Sequence, residues 1–344
     1  MIQREPEGVT IFDVAREAGV SYATVSRVLN NKDHVKPEKR QAVLDAVARL
    51  GYVANSQARS LAGGISRVIG LLVQDVGTSY TGEIVRGIDE ELSSAGYDLM
   101  LYTTHRRKAK ESAYVDAIAR GLADGLLLIL PRDPGAYLES LRLQNFPYVL
   151  IDHQGIGDYA RSVGATNWQG AYDATRYLLE LGHRRIGFIT GAMDLGCSVD
   201  RLAGYAAALS DRDIQVDPLL IRTGDFFRPQ GFAGAQALLD LPEPPSAIFA
   251  SNDEMALGVM EAVRVRGLRI PDDISVIGFD DISQASLVHP ELTTVRQPME
   301  QMGRRATQML LELIADPQQM IGRVTLPTTL VVRGSCREPA TSTV

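Results

Sequence analysis

Apolar positions follow two different periods along the chain, and the change falls near residue 65. Over residues 9–51 they recur at helical spacing: Ile11, Val14, Ala15 and Ala18, then Val25, Val28 and Leu29, then Ala42, Val43, Ala46, Val47 and Leu50. Three short helices are predicted. Thr10 can cap the first, and Asp13 completes a T-x-x-D box at the positive helix end. Gly19 frees the backbone for a sharp turn, and Ser21 can cap the second helix. Pro37 suits the first position of the third, and Gly51 ends it. From Arg67 onward, short continuous apolar runs take over: Val68–Val73, 99–102, 126–130 and 148–152, then Ile186–Ile189, Ala247–Ala250 and 275–279. Amphipathic stretches, the first over about 81–95, separate them. Strands that are apolar throughout and alternate with helices imply parallel sheets covered on both faces. Because the series restarts near Asn167, the expected fold is α/β: a helix-turn-helix head and two doubly wound parallel-sheet subdomains with a cleft between them. Ligands in such sheets bind beyond the carboxyl ends of strands.

In the head, the inward positions of the second helix leave Tyr22, Ala23, Ser26 and Arg27 outside. A helix that reads base edges needs this arrangement. Arg27 can pair bidentately with guanine, a contact that discriminates by roughly 1–3 kcal/mol. Tyr22 offers a hydroxyl and a ring for a thymine methyl. Thr10, Ser21, Thr24, Ser26 and Asn30 suit phosphate contacts, which position without specifying.

The string Asp13-Val-Ala-x-x-Ala-Gly-Val-Ser-x-x-Thr-Val-Ser-Arg-Val-Leu-Asn30 resembles the DNA-binding head of the lactose-repressor (LacI/GalR) family, and the resemblance extends over residues 9–335. It implies that Tyr22, Ala23 and Arg27 dominate operator choice, with Ala23 reading by shape or methyl contact. It also implies a hinge helix in which Ala58 allows two copies to approach and Leu61 wedges into the minor groove. The chain departs from the family at Val53-Ala54, where a proline usually precedes the Asn. The expected domains are 1–51 for the head, 52–66 for hinge and linker, 67–335 for the body, and 336–344 for a tail. By resemblance the chain crosses between subdomains near 165, 293 and 325. The first subdomain then takes 67–164 with 294–324, the second 165–293 with 325–335, in the manner of a periplasmic sugar-binding protein.

Composition changes this picture at two points. Net charge is −7, unpromising for a DNA binder, yet residues 1–64 hold nine Lys and Arg against seven Asp and Glu. The remainder holds 26 against 35, so only the head should touch DNA, and two heads are needed. Two cysteines, Cys197 and Cys336, fit a reducing cytosol. No apolar run is long enough to span a bilayer, and the opening residues carry no secretory h-region.

Polar residues fall just past the predicted strand ends: Asp75, Asp152, Asn252 and Asp280. Arg201 is expected to begin a helix, and Phe226 lies in a loop. Carboxylates, an amide and a guanidinium can each bond paired hydroxyls, and a ring stacks on a sugar's C–H face. The resemblance implies effector contacts at Asp152, Arg201, Phe226, Asn252 and Asp280, with Tyr80 in a loop that varies with ligand. Asp75 reads equally well as a turn residue. The expected partners are operator DNA, a mono- or oligosaccharide effector and a second copy of the chain, without a membrane. A purine or protein corepressor is the alternative. Neither catalytic residues, a metal site nor a cofactor is expected. Gly155-Ile-Gly157-Asp-Tyr-Ala160 matches a dinucleotide pattern but leads into a strand. His183 is expected to cap a helix end, and adjacent Asp280 and Asp281 should point apart, which is poor for glycosidase chemistry. A transport-type sugar-binding protein would lack residues 9–64, and a sugar-modifying enzyme would need an acid–base pair in the cleft.

Overall fold

Thr10 and Asp13 start the first helix by bonding each other reciprocally. Asp13 donates its N–H to Thr10 Oγ1 at 3.4 Å, and Thr10 donates its own to Asp13 Oδ2 at 3.0 Å. The computed structural model describes residues 9–29, 35–52, 65–105, 107–132, 134–153 and 161–339. They belong to two units, Met1–Ser66 and Arg67–Val344.

The first unit carries α1 (Ile11–Glu17), α2 (Tyr22–Leu29) and α3 (Pro37–Leu50). Gly19 at φ +64° makes the turn, and Gly51 at φ +61° closes α3, both conformations that disfavour a side chain. Ser21 Oγ accepts the Thr24 N–H at 3.3 Å and caps α2. Val14, Val25, Val28, Val43 and Ala46 form a small buried core.

In the second unit the first series runs β1 (Val68–Val73), α4 (Ser79–Ala95), β2 (Asp98–Thr103), α5 (Lys108–Ala117), β3 (Gly125–Ile129), α6 (Gly135–Leu143), β4 (Tyr148–Ile151) and β5 (Ser162–Ala165). The second runs α7 (Asn167–Glu180), β6 (Ile186–Ile189), α8 (Gly196–Ser210), β7 (Ile221–Arg222), α9 (Arg228–Leu239), β8 (Ala247–Ala250), α10 (Asp253–Val265), β9 (Ser275–Asp280) and β10 (Thr293–Arg296). The chain closes with α11 (Met299–Ala315), β11 (Val324–Leu326) and β12 (Thr329–Val331). The sheets are ordered β2-β1-β3-β4-β5-β11 and β7-β6-β8-β9-β10-β12. Every pairing is parallel except β10 with β12. In each sheet the order reverses beside the first strand, which opens a crevice at the carboxyl ends.

Three segments join the subdomains. The first lies at Thr166, after β5. The second comes after β10, because Arg296 still pairs with Asp280 of β9; the third follows Leu326, still paired with Ala165. These two fall a few residues beyond the expected positions near 293 and 325, since each ladder keeps forming bonds to the strand's last residue. After the second crossing α11 returns to pack on α4. Gly87 and Gly303 let the backbones meet: a Cβ at Gly87 would lie 2.1 Å from Glu300 O, and one at Gly303 2.2 Å from Ile84 O.

Arg337, expected at the start of the tail, is tied to the second subdomain. Its N–H donates to Ser275 Oγ at 3.1 Å, and its carbonyl lies 2.9 Å from His183 Nε2. His183 caps the C-terminal end of α7 through its backbone, whose N–H donates to Leu178 O at 3.1 Å. Its buried ring bridges Ser246, Ser275 and Arg337, and burial pushes its pKa down. Among the described residues no helix is long and apolar enough to cross a membrane.

Candidate ligand cleft and recognition helix

The carboxyl ends of both sheets face one another across a cavity of about 230 Å³. All six sequence-predicted effector residues, Tyr80, Asp152, Arg201, Phe226, Asn252 and Asp280, line it. Several are held in strained backbone: φ is +53° at Asp152, +73° at Phe226 and +115° at Asp280. Non-glycine residues reach such values only where surrounding structure over-determines them, commonly at ligand sites.

Arg201 is the centre of the polar wall. It lies within α8 rather than at its start, since the helix begins at Gly196 through Ser198 N–H bonding Leu195 O at 3.0 Å. Its side chain is 2% exposed. Nε donates to Asn167 Oδ1 at 2.8 Å, Nη1 donates to Ser251 O, and Asp280 Oδ1 stands 3.7 Å from Nη1. The Phe279 ring lies 3.8 Å beneath the guanidinium carbon. A buried cation is tolerable only with this density of partners. Asn167 passes the network on, donating to Asp152 Oδ1 at 3.2 Å, while Tyr80 OH donates to Asp152 Oδ2 at 2.8 Å. Gln297, on the second crossing, donates to Asp280 Oδ1 at 2.7 Å. Burial pushes the Asp280 carboxyl up to about 7 against the opposing pull of Arg201. Burial, with Asp152 beside it, raises the Tyr80 phenol well above its usual range.

Asn252 serves two ends. Its Oδ1 accepts the Met255 N–H at 3.0 Å and caps α10, while Nδ2 donates to Phe226 O at 3.0 Å and fixes the aromatic loop. Gly191 makes room for that ring, because a Cβ there would lie 2.0 Å from Phe226 Cζ. Gly278 and Asp253 fit by the same logic: a Cβ at 278 would meet Asp253 Oδ1 at 2.1 Å. Asp253 bonds Thr294 and Ile282, locking the start of α10 to β10 and the loop after β9. Asp281 turns away from the cavity to Arg296 and Arg333. Asp280 caps no helix. Asp75 lines the cavity and also accepts the Gly77 N–H at 2.7 Å, so both readings of it hold.

Sequence reasoning missed Asn167, Gln297 and Arg132. Asn167 opens α7 directly after the first crossing and Gln297 sits on the second, places that apolar periodicity does not reveal. A two-residue shift past the strand-like run 126–130 would have pointed to Arg132.

On the head, Ser21, Tyr22, Ala23 and Arg27 are exposed, and Thr24 and Ser26 are half-buried. Thr10 is exposed, though its hydroxyl also donates to Asp13 at 2.6 Å. Tyr22 stacks on Phe12, ring centroids 5.2 Å apart and 22° between planes. Phe12 is 65% exposed and falls outside the apolar stripe of α1, a signal that the sequence contained and the periodicity argument passed over. Asn30, Ala58, Leu61 and the Gly155–Ala160 motif lie outside the described residues.

A helix-turn-helix unit and a two-sheet body with a polar cleft, in one chain, define a ligand-binding regulator. The comparisons agree. A family described as "Bacterial regulatory proteins, lacI family" matches residues 10–55, and a "Periplasmic binding protein-like domain" matches 175–336. The transcriptional repressor CytR of Escherichia coli K12 is 36% identical over 97% of this chain and 98% of its own. A transcriptional regulator CelR–cellobiose complex is 34% identical, with TM-score 0.74 over 95% of this chain and 99% of that one. The Lac repressor dimer bound to operator and the anti-inducer ONPF is 31% identical, with TM-score 0.84 over 96% of this chain and 100% of that one. The chain belongs to the lacI family of bacterial regulatory proteins, and it is a DNA-binding transcriptional regulator.

Proposed function

We propose that the chain is a homodimeric, cytoplasmic repressor whose grip on a twofold-symmetric operator is released by a neutral mono- or oligosaccharide in the cavity. The observation that carries this reading is the convergence of the six effector residues on one cavity. Three carboxylates line it, Asp75, Asp152 and Asp225, with Asp280 raised to about 7 beside them, against two guanidinium groups, Arg132 and Arg201. That excess repels an anionic metabolite and favours uncharged hydroxyls. Asp152, Arg201, Asn252 and Asp280 bond the hydroxyls, Phe226 stacks on the apolar face, and Tyr80 closes the first subdomain's side. This reading takes the chain as a binder and not an enzyme: Asp280, whose carboxyl burial pushes up to about 7, is tied to Gln297. In the head, Tyr22 and Arg27 read bases and Ala23 reads shape. Thr10, Ser21, Thr24, Ser26 and Asn30 hold phosphates, and Ala58 and Leu61 engage the minor groove.

A purine is the second reading, because Tyr80 and Phe226 share the cavity and two rings suit a flat base. Isothermal titration of the full chain with cellobiose, ribose and hypoxanthine decides between them. Saturable heat from a sugar is expected, without chemical turnover. Heat from hypoxanthine alone overturns the sugar assignment.

A further inference from the structure

Phe12 is the second residue of α1, and the other exposed positions of that helix, Arg16 and Glu17, are charged. The Phe12 ring takes no part in the buried core of the head; it packs on Tyr22, the first residue of α2, with centroids 5.2 Å apart and 22° between planes. That separation lies in the range aromatic pairs prefer. The backbone holds both ends of the pair in register. The Thr10–Asp13 box fixes the first turn of α1, the Val20 N–H donates to Ala15 O at 3.1 Å across the Gly19 turn, and Ser21 caps α2. Tyr22 is exposed as well and stands outside the same core, so the stack is what orients its ring.

We propose that Phe12 is a positioning residue for base reading: by stacking on Tyr22 it holds that ring where it meets a thymine methyl group in the major groove. The N-terminal residues of a recognition helix contact base edges, and Tyr22 opens α2. A thymine methyl offers only apolar contact, without the paired bonds that orient an arginine on guanine. A ring that turns freely discriminates poorly by such a contact, and immobilising it on binding costs entropy. A ring already held loses little freedom and keeps its distance to the methyl. Phe12 has neither donor nor acceptor on its side chain, so it bonds no phosphate and no base edge, and its effect passes through Tyr22. This role rests on the reading of Tyr22 as a base contact.

Replacing thymine by deoxyuridine removes the methyl alone, and it tests this role on a duplex that the full wild-type chain recovers by unbiased selection. Each thymine of the half-site is replaced in turn, symmetrically in both halves, and affinity is read by fluorescence anisotropy. At one position the wild type should lose about fourfold, the contribution of a buried methyl. Phe12→Ala should bind the thymine duplex about fourfold more weakly than wild type and respond to that replacement by less than about twofold. Its salt dependence should match wild type, since no phosphate contact is lost. Phe12→Tyr keeps the ring face and should retain the wild-type response; Phe12→Leu keeps apolar bulk without a face and should not. A role confined to folding would not separate those two. Thermal unfolding of the head is followed alongside, and should Phe12→Ala unfold, Phe12→Leu carries the comparison. A wild-type loss on deoxyuridine in Phe12→Ala or Phe12→Leu overturns the proposal. Tyr22→Ala separates the two readings. If it keeps the deoxyuridine loss, or if no thymine matters to the wild type, Tyr22 reads no methyl and both readings fall. If it abolishes the loss while Phe12→Ala keeps it, only the positioning role falls.

Discussion

Arg201 carries a full charge into a place that water hardly reaches, so its neighbours determine whether the second subdomain folds as well as whether it binds. Asp280 is the partner whose titration reports on that environment. Burial raises its folded carboxyl from the usual 3.8 to about 7, so the folded state holds this proton more tightly than the unfolded chain. Its contribution to stability is complete below 3.8 and is lost as pH rises through about 7. Buried Asp253 shifts in the same direction, so the comparison must be with a variant. Urea unfolding should show wild type minus Asp280→Asn falling as pH rises from 3.8 to about 7, then flat. A difference that does not vary with pH contradicts the raised carboxyl. Residue types at strand ends made Asp152, Asn252 and Asp280 legible in the sequence. Asn167 was not legible, because its importance comes from standing between Asp152 and Arg201, a relation only the fold creates.

Elements were easier to read than their joints. The caps of α1 and α2, the glycine stops and the central strands follow from local chemistry that operates within a few residues. The start of α8 was misplaced because Gly196 and Ser198 are poor helix formers, and tertiary packing overrides their propensity. The expected boundaries near 293 and 325 cut through β10 and β11, because strands of three or four residues carry little periodicity. α1 offers a test at this scale. Thr10→Ala removes one half of the capping box and should cost about 1 kcal/mol of head stability. Serine at the same position should restore most of it. Thermal unfolding followed at the head's helices checks this, and a Thr10→Ala head as stable as wild type would mean that Asp13 suffices alone.

Across the whole molecule, the crossings are where the site and the subdomain geometry become one system. Asn167 follows the first crossing and bonds both Asp152 and Arg201. Gln297 on the second bonds Asp280. Thr166 and Thr328 tie the first crossing to the third, with Thr328 N–H donating to Thr166 Oγ1 at 2.9 Å. A ligand that reorders these bonds changes how the subdomains meet, which is the differential interaction that coupling requires. The most direct measurement is the affinity of the full chain for a duplex recovered by unbiased selection, followed by fluorescence anisotropy with and without the titrated sugar. The account predicts salt-sensitive binding to a twofold-symmetric site that weakens about tenfold or more when the cavity is saturated, a coupling of about 1.4 kcal/mol. A ligand that fills the cavity yet leaves that affinity unchanged would contradict it.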